Sequence, residues 1–399
     1  MNPVLGRLEP YPFQKLAALT QAIQPPAKPA INMAIGEPRD HTPAVITQAI
    51  EKDLGALAVY PSTRGERPVR AAIAAWLTRR YALGPGQLDP DRHVLPVSGS
   101  REALFSVVQT RIDTRGGRPL VLMPNPFYQI YEGAARFAGA EPYYVNTDAA
   151  NDYRMDFAAI PDTVWARTQL VFICSPSNPT GQVLREQDYT ILFERARQYD
   201  FLIAADECYA ELYEDETAPP IGLLQAAAAH GVNDFARCIV FHSLSKRSSV
   251  PGLRAGFVAG DAEFLKSYFT LRTYYGSAPS MLAQTALVAA LADEEHVRAS
   301  RARYRRKFDD ALAILGRRAR RPAGGFYLWL ATGGDDETFA AGLYAAEHVL
   351  TLPGRYLSRP TAAGDPGAGY VRIALVGSEE TCHEGMLRLR SYMDSLTTS

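Results

Sequence analysis

Short apolar runs recur through the middle of the chain, separated by stretches with helical spacing. HVLPV (93–97), RPLVLMP (118–124), EPYYVN (141–146), QLVFICS (169–175), FLIAAD (201–206), RCIVFHS (237–243) and RAGFVAG (254–260) read as strands. Most lack polar–apolar alternation, the pattern of strands buried on both faces by helices. Between them lie amphipathic segments such as 184–198, where Tyr189, Leu192, Phe193 and Ala196 share a face. Strands alternating with helices predict an α/β unit on a mainly parallel sheet. Segment 66–81 is predicted helical, with Val69, Ile73, Trp76 and Leu77 at helical spacing and Pro68 in the first turn.

After about residue 290 the texture changes. A long Arg-rich helical stretch leads to FYLWL (326–330), a helix around 336–348, then VLTLP and YVRIALV (370–376), with a Gly/Pro-rich loop over 358–369. That α+β order predicts a second, smaller domain. No internal repeat or low-complexity segment is present.

Composition adds exclusions. With 47% apolar and 21% charged residues, the 399-residue chain has the make-up of a soluble globular protein with a large core. A formal net charge of -1 and a pI near 6.7 argue against a polyanion-binding protein. The basic stretch Arg298–Arg321 is expected to be a helix with a solvated arginine face. Cys174, Cys208, Cys238 and Cys382 form no metal-ligand spacing, and Cys174 and Cys238 are expected to be small core residues. Free cysteines, the lack of an apolar leader and the lack of any long apolar run predict a cytoplasmic protein with no membrane span.

The chemistry-bearing residues sit where strands end. Lys246, in SLSKRSSVPGLRAG, follows a buried strand, where α/β proteins place ligands. It is either a solvated loop residue or a functional amine. Ser243, Ser245, Ser248 and Ser249 crowd it, and Arg247 and Arg254 are near in sequence. Cationic neighbours and burial both lower a lysine pKa, as a nucleophilic amine requires. SPSNPTG (175–181) is a turn in which Asn178 is placed to donate to a ligand oxygen. Asp206 ends FLIAAD, with Tyr209 three residues on; a carboxylate there is costly unless paired. In VSGSREALFSVV, the backbone N–H groups of Gly99, Ser100 and Arg101 would form an anion site at a helix N-terminus. The spacing is neither a P-loop nor the dinucleotide fingerprint, which excludes a Rossmann dehydrogenase.

Taken together, these motifs resemble the class I aminotransferases of the fold type I pyridoxal-phosphate enzymes, over essentially the whole chain. SPSNPTG, DECY, SLSK, PGLRAG and YVRIAL stand in that family's order and spacing. The resemblance implies a mainly parallel seven-stranded sheet in a large domain (46–295), a small α+β domain (296–399), and an N-terminal arm (1–45) contributing to the small domain. It implies pyridoxal 5'-phosphate as cofactor and small amino and keto acids as substrates, with no metal. Lys246 then matches the Schiff-base lysine and proton shuttle, and Asp206 the partner of the pyridine nitrogen. Tyr209 and Asn178 match the groups that hydrogen-bond the cofactor's 3-oxygen. Gly99, Ser100, Arg101, Ser243 and Arg254 match the phosphate cradle. Tyr128 matches the aromatic stacked on the ring, with a core tyrosine as the alternative. Arg372 matches the arginine gripping the α-carboxylate, and Gly36 a glycine beside it. Tyr60 matches a tyrosine that reaches the phosphate of the other subunit, implying a homodimer with shared sites.

IGEPRDHTP, YPSTRGERPVRAAIAAWLTRRY, ADECYAELY, FHSLSKRSSVPGLRAGFVAGD and RTYYGSAPS narrow the resemblance to the succinyldiaminopimelate aminotransferase branch. That branch moves an amino group between glutamate and N-succinyl-2-amino-6-ketopimelate on a route to lysine. Both partners carry a distal carboxylate, for which Arg39, Arg64, Arg272 and Arg359 are candidates, with surface salt bridging as the alternative for each. Other readings are a different class I aminotransferase (aspartate, aromatic, acetylornithine or diaminopimelate), a carbon–sulfur β-lyase on the same residues, and a regulator that has kept the fold. A regulator would have no need of both Lys246 and Asp206.

Overall fold

The structure, a computed structural model, describes residues 1–275 and 278–397. Gly276 and Ser277, in RTYYGSAPS, lie outside the described residues. All seven expected strands form one sheet: β1 (Val94–Val97), β2 (Leu120–Asn125), β3 (Glu141–Asn146), β4 (Thr168–Cys174), β5 (Leu202–Asp206), β6 (Cys238–Ser243) and β7 (Gly256–Gly260). Their spatial order is β1-β7-β6-β5-β4-β2-β3, and only β7 runs against the rest.

The missing alternation has a direct cause. Leu122, Val171, Ile203 and Val240 enter one core, while Val121, Phe172, Ala204 and Phe241 enter a second on the opposite face. Both faces being dry, apolar side chains are favoured at every position. Helix α1 (Pro12–Thr20) lies within the first 45 residues. Helix α2 (Arg67–Arg80) buries Val69, Ile73, Trp76 and Leu77, carries Pro68 in its first turn and ends on Arg79 and Arg80, which suit the negative end of its dipole. Truncating the buried Trp76 would cost about 3–5 kcal/mol.

Past residue 294 a three-stranded antiparallel sheet carries β8 (Tyr327–Ala331) paired with Tyr370–Ala374, which in turn pairs with Leu352–Pro353. Helices Glu295–Leu315 and Glu379–Thr397 pack beside it. Ile31–Asn32 pairs in parallel with Val349–Leu350, and Ile31 and Met33 join the core of Leu328, Val371 and Met386. Residues 31–33 are thereby tied to the C-terminal third.

Two expectations need correction. The helix Glu295–Leu315 is not a solvated arginine face throughout: Arg301 is buried, its guanidinium donating to Glu216 at 2.6 and 2.8 Å, and Lys307 is buried too. Acidic residues of the 211–216 segment draw Arg301 inward. Cys238 is a core residue, but Cys174 is only partly covered, because it closes β4 at the rim of the sheet.

Candidate active site

The carboxyl ends of β4, β5 and β6 and the turn after β1 converge on one cavity of about 550 Å³. Ser243 closes β6 and caps a single helical turn, its Oγ accepting from the Ser245 N–H at 3.1 Å. That turn directs Lys246 into the cavity. Its Nζ donates to the Gly36 carbonyl at 2.6 Å and lies 5.4 Å from the centre of the Phe326 ring. Burial pulls the Lys246 pKa down to about 8, and the guanidiniums of Arg372 and Arg101 add to the effect.

Asp206 is 4% exposed at the end of β5. One carboxylate oxygen accepts from the Tyr131 hydroxyl at 2.6 Å, the other from the Cys208 N–H at 3.2 Å. No cationic side chain forms an ion pair with it among the described residues. Burial therefore raises its pKa, opposed by the hydrogen bonds from Cys208 and Tyr131. A protonated nitrogen brought into this position would satisfy the carboxylate.

Arg372 is buried, and its two terminal nitrogens point at Asn178 Oδ1 (2.9 Å) and the Ala34 carbonyl (2.8 Å). Its guanidinium lies 4.4 Å over the Tyr327 ring, which fixes the plane of the fork. The Tyr327 hydroxyl meets that of Tyr209 at 3.1 Å and presses against Gly36, where any Cβ would collide with it. At the other end, Gly99 has φ +88°, the left-handed region that favours glycine, and the Arg254 guanidinium lies against it. Ser100 heads helix α3 (Ser100–Arg111), and its Oγ accepts from the Cys208 thiol at 3.1 Å.

Arg101 stands at the mouth. Its Nε donates to Tyr128 at 2.7 Å and one terminal nitrogen to Tyr11 at 3.1 Å, both neutral phenols. Burial pushes the Tyr128 hydroxyl up in pKa, so it stays protonated.

The cavity thus gathers Gly36, Ser100, Arg101, Tyr128, Asn178, Asp206, Tyr209, Ser243, Lys246, Arg254 and Arg372, with Gly99 packed behind Arg254. Tyr60 is apart from it, 99% exposed on the surface. None of the four proposed arginines for a distal carboxylate lines the cavity. Arg272 is fully buried against Glu102 at 2.7 Å, and Arg359 pairs with Glu132 at 2.6 Å. Arg64 donates to the Asp91 carbonyl and lies over Phe269, and Arg39 is exposed. Charge pairing elsewhere accounts for the first two.

Tyr131, Tyr327, Cys208 and Tyr11 also line the cavity, as does Glu37, and none was a candidate site residue from sequence. Tyr131 lies three residues after Tyr128 in NPFYQIY, a spacing that could have marked it. Tyr11 carried no comparable signal.

The family profile described as "Aminotransferase class I and II" matches residues 28–389. An LL-diaminopimelate aminotransferase of Desulforudis audaxviator (strain MP104C) is 33% identical, with 98% of each chain covered. A crystallised aminotransferase from Neisseria meningitidis Z2491 is 46% identical with a TM-score of 0.93, covering 98% of this chain and 99% of its own. The aminotransferase AspB from Helicobacter pylori 26695 is 35% identical with a TM-score of 0.89, covering 97% and 99%. With that match spanning the strands, the cavity and its basic, acidic and aromatic lining, this chain belongs to the class I and II aminotransferases, a pyridoxal-phosphate-dependent family.

Proposed function

We propose that this aminotransferase moves an amino group between glutamate/2-oxoglutarate and N-succinyl-2-amino-6-ketopimelate/N-succinyl-LL-2,6-diaminopimelate. The observation that carries the reading is the charge arrangement of the cavity: Arg372 and Arg101 both face it, and Arg101 has only neutral phenols as partners. Arg372 suits an α-carboxylate and Arg101 a distal one, which glutamate and the three-carboxylate succinylated substrate both carry. The long motifs shared with the succinyldiaminopimelate branch supply the rest, and about 550 Å³ is room for a cofactor and an extended substrate.

The residues fit the cofactor. A dry carboxylate without a cation, an amine with lowered pKa and a glycine turn backed by Arg254 offer partners for its ring nitrogen, aldehyde and phosphate. Asp206 would hold the ring nitrogen, Gly99, Ser100, Arg101 N–H, Ser243 and Arg254 the phosphate, Tyr209 and Asn178 the 3-oxygen, and Tyr128 the ring face. When bound, the cofactor supplies an electron-withdrawing ring that accepts the electron pair of the substrate's Cα–H bond. Lys246 Nζ would take the proton from that Cα and deliver it to the cofactor's C4′, and would run the same transfer in the opposite direction in the second half-reaction. Arg372 grips the α-carboxylate, pre-oriented by Asn178 and Tyr327. Gly36 leaves room for its approach, and Arg101 receives the distal carboxylate.

The active unit in this reading is a cytoplasmic homodimer, divided at residues 45 and 295 into arm, large domain and small domain. Tyr60 is exposed together with Leu54, Leu57, Val59 and Tyr274, an apolar group that suits burial by a second copy. Among the described residues no helix is long and apolar enough to cross a membrane, and no His/Cys/Asp/Glu group could hold a metal ion.

The relatives named LL-diaminopimelate aminotransferase favour a second reading, in which the unsuccinylated diamine is the substrate. A panel decides: initial rates with N-succinyl-LL-diaminopimelate, LL-diaminopimelate, acetylornithine, aspartate and tyrosine, each with 2-oxoglutarate. The succinylated compound should give the highest kcat/KM. A higher value for LL-diaminopimelate replaces the first reading with the second. Failure to form glutamate from 2-oxoglutarate with any of these donors would instead point to a lyase.

A further inference from the structure

One face of the helix Glu295–Leu315 carries buried polar groups that the site chemistry does not use. Lys307 and Tyr304 are each 3% exposed, and neither Lys307 Nζ nor the Tyr304 hydroxyl has a hydrogen-bond partner. One turn back, Arg303 Nε sits 3.5 Å from an Asp40 carboxylate oxygen, without a formed hydrogen bond, and the other Asp40 oxygen is unpartnered as well. Leaving Lys307 Nζ and the Tyr304 phenol buried without hydrogen bonds is costly, and the Arg303–Asp40 ion pair beside them is a loose one, so packing alone gives no reason for this set.

Two short routes lead from it to Lys246. Asp40 is four residues after Gly36, on the segment whose carbonyl accepts from Lys246 Nζ at 2.6 Å. Buried Pro38 between them limits the slack. On the second route, Lys307 Nζ lies 4.8 Å over the Tyr304 ring, Tyr304 stacks on Phe326 at 5.6 Å, and Phe326 lies 5.4 Å from Lys246 Nζ.

We propose that Asp40, Arg303, Tyr304 and Lys307 are positioning residues for Lys246: they set the segment 36–40 and the Phe326 ring between which its amine is held. The inference rests on Lys246 being the amine that carries the cofactor. The groups facing that amine are the Gly36 carbonyl, Cys208, Arg372, Glu37 and Arg101, so movement of the 36–40 segment alters its hydrogen bond and shifts Glu37, while Cys208, Arg372 and Arg101 stay in place.

The test uses Lys307→Met and Asp40→Asn, singly and together, and three measurements. These are the thermal midpoint, kcat/KM for glutamate, and the pH dependence of the rate at which cofactor-free protein captures pyridoxal phosphate. Removing a buried ammonium that lacks hydrogen bonds with Lys307→Met should raise the thermal midpoint. It should nevertheless lower kcat/KM by about tenfold through misplacement of the amine. The capture midpoint should move to lower pH, since the hydrogen bond to Gly36 supports the charged amine. A higher thermal midpoint with kcat/KM and capture midpoint both unchanged would overturn the proposal. Asp40→Asn, nearly isosteric and partly exposed, gives the same decision should Lys307→Met fail to fold. Failure of the underlying reading shows separately: Lys246→Ala would then still capture the cofactor covalently.

Discussion

The Tyr131 hydroxyl donates to Asp206 at 2.6 Å, and Tyr131 is itself held face-on against Phe172, ring centres 4.4 Å apart. A carboxylate at a ligand site is thereby aimed by a phenol that cannot swing away. Tyr131→Phe keeps the stack and removes the bond, leaving a buried oxygen unpaired at a cost of about 1–3 kcal/mol. Cofactor affinity should fall by tenfold or more, measured by titrating cofactor-free protein. Unchanged affinity would remove Tyr131 from the site.

Lys246 makes the stability of the cofactor-free protein depend on pH. Its pKa is about 8 when folded, against the ordinary 10.5, so the unfolded chain binds more protons between those values and stability rises with pH across that window. Below pH 8 the buried ammonium is a full liability. Lys246→Met should therefore be more stable than the parent at pH 7, with the gap closing toward pH 10. The same variant should show no turnover. Denaturant midpoints across pH are the measurement, and a gap independent of pH would contradict the assignment.

Arg372→Lys keeps the charge but loses the planar fork on Asn178 and the Ala34 carbonyl. A loss of about 2–3 kcal/mol in transition-state binding corresponds to roughly a hundredfold lower kcat/KM for every amino acid tested. A uniform loss is the signature of an α-carboxylate contact.

Arg101→Gln should separate substrates rather than slow all of them. Glutamate and N-succinyl-diaminopimelate should lose about a hundredfold in kcat/KM, while a monocarboxylate such as alanine changes little. An equal loss for alanine would place the Arg101 side chain on the cofactor phosphate instead.

The seven strands were legible because their signal is local: each run is apolar throughout, and the two cores explain why. Asn178, Asp206 and Lys246 were legible for a related reason, as polar residues ending buried runs. The arginines could not be sorted locally, and ion pairing, the alternative to a distal-carboxylate role, holds for Arg272 and Arg359. Arg359 finds Glu132 across 227 residues and Arg272 finds Glu102 across 170, pairings that no local pattern encodes. The basic helix misled in the same way, since its buried Arg301 answers to Glu216 on a distant loop.

From its sequence alone, this protein is committed to buried parallel strands whose ends carry an amine, a carboxylate and an amide, because periodicity and strand-end chemistry are properties of neighbouring residues. Which cations face the cavity, what holds Asp206 and where Tyr11 lands were decided only by tertiary structure. Burial and ion pairing depend on which distant segments meet, and in a low-dielectric interior a charge already paired elsewhere is no longer available to a ligand.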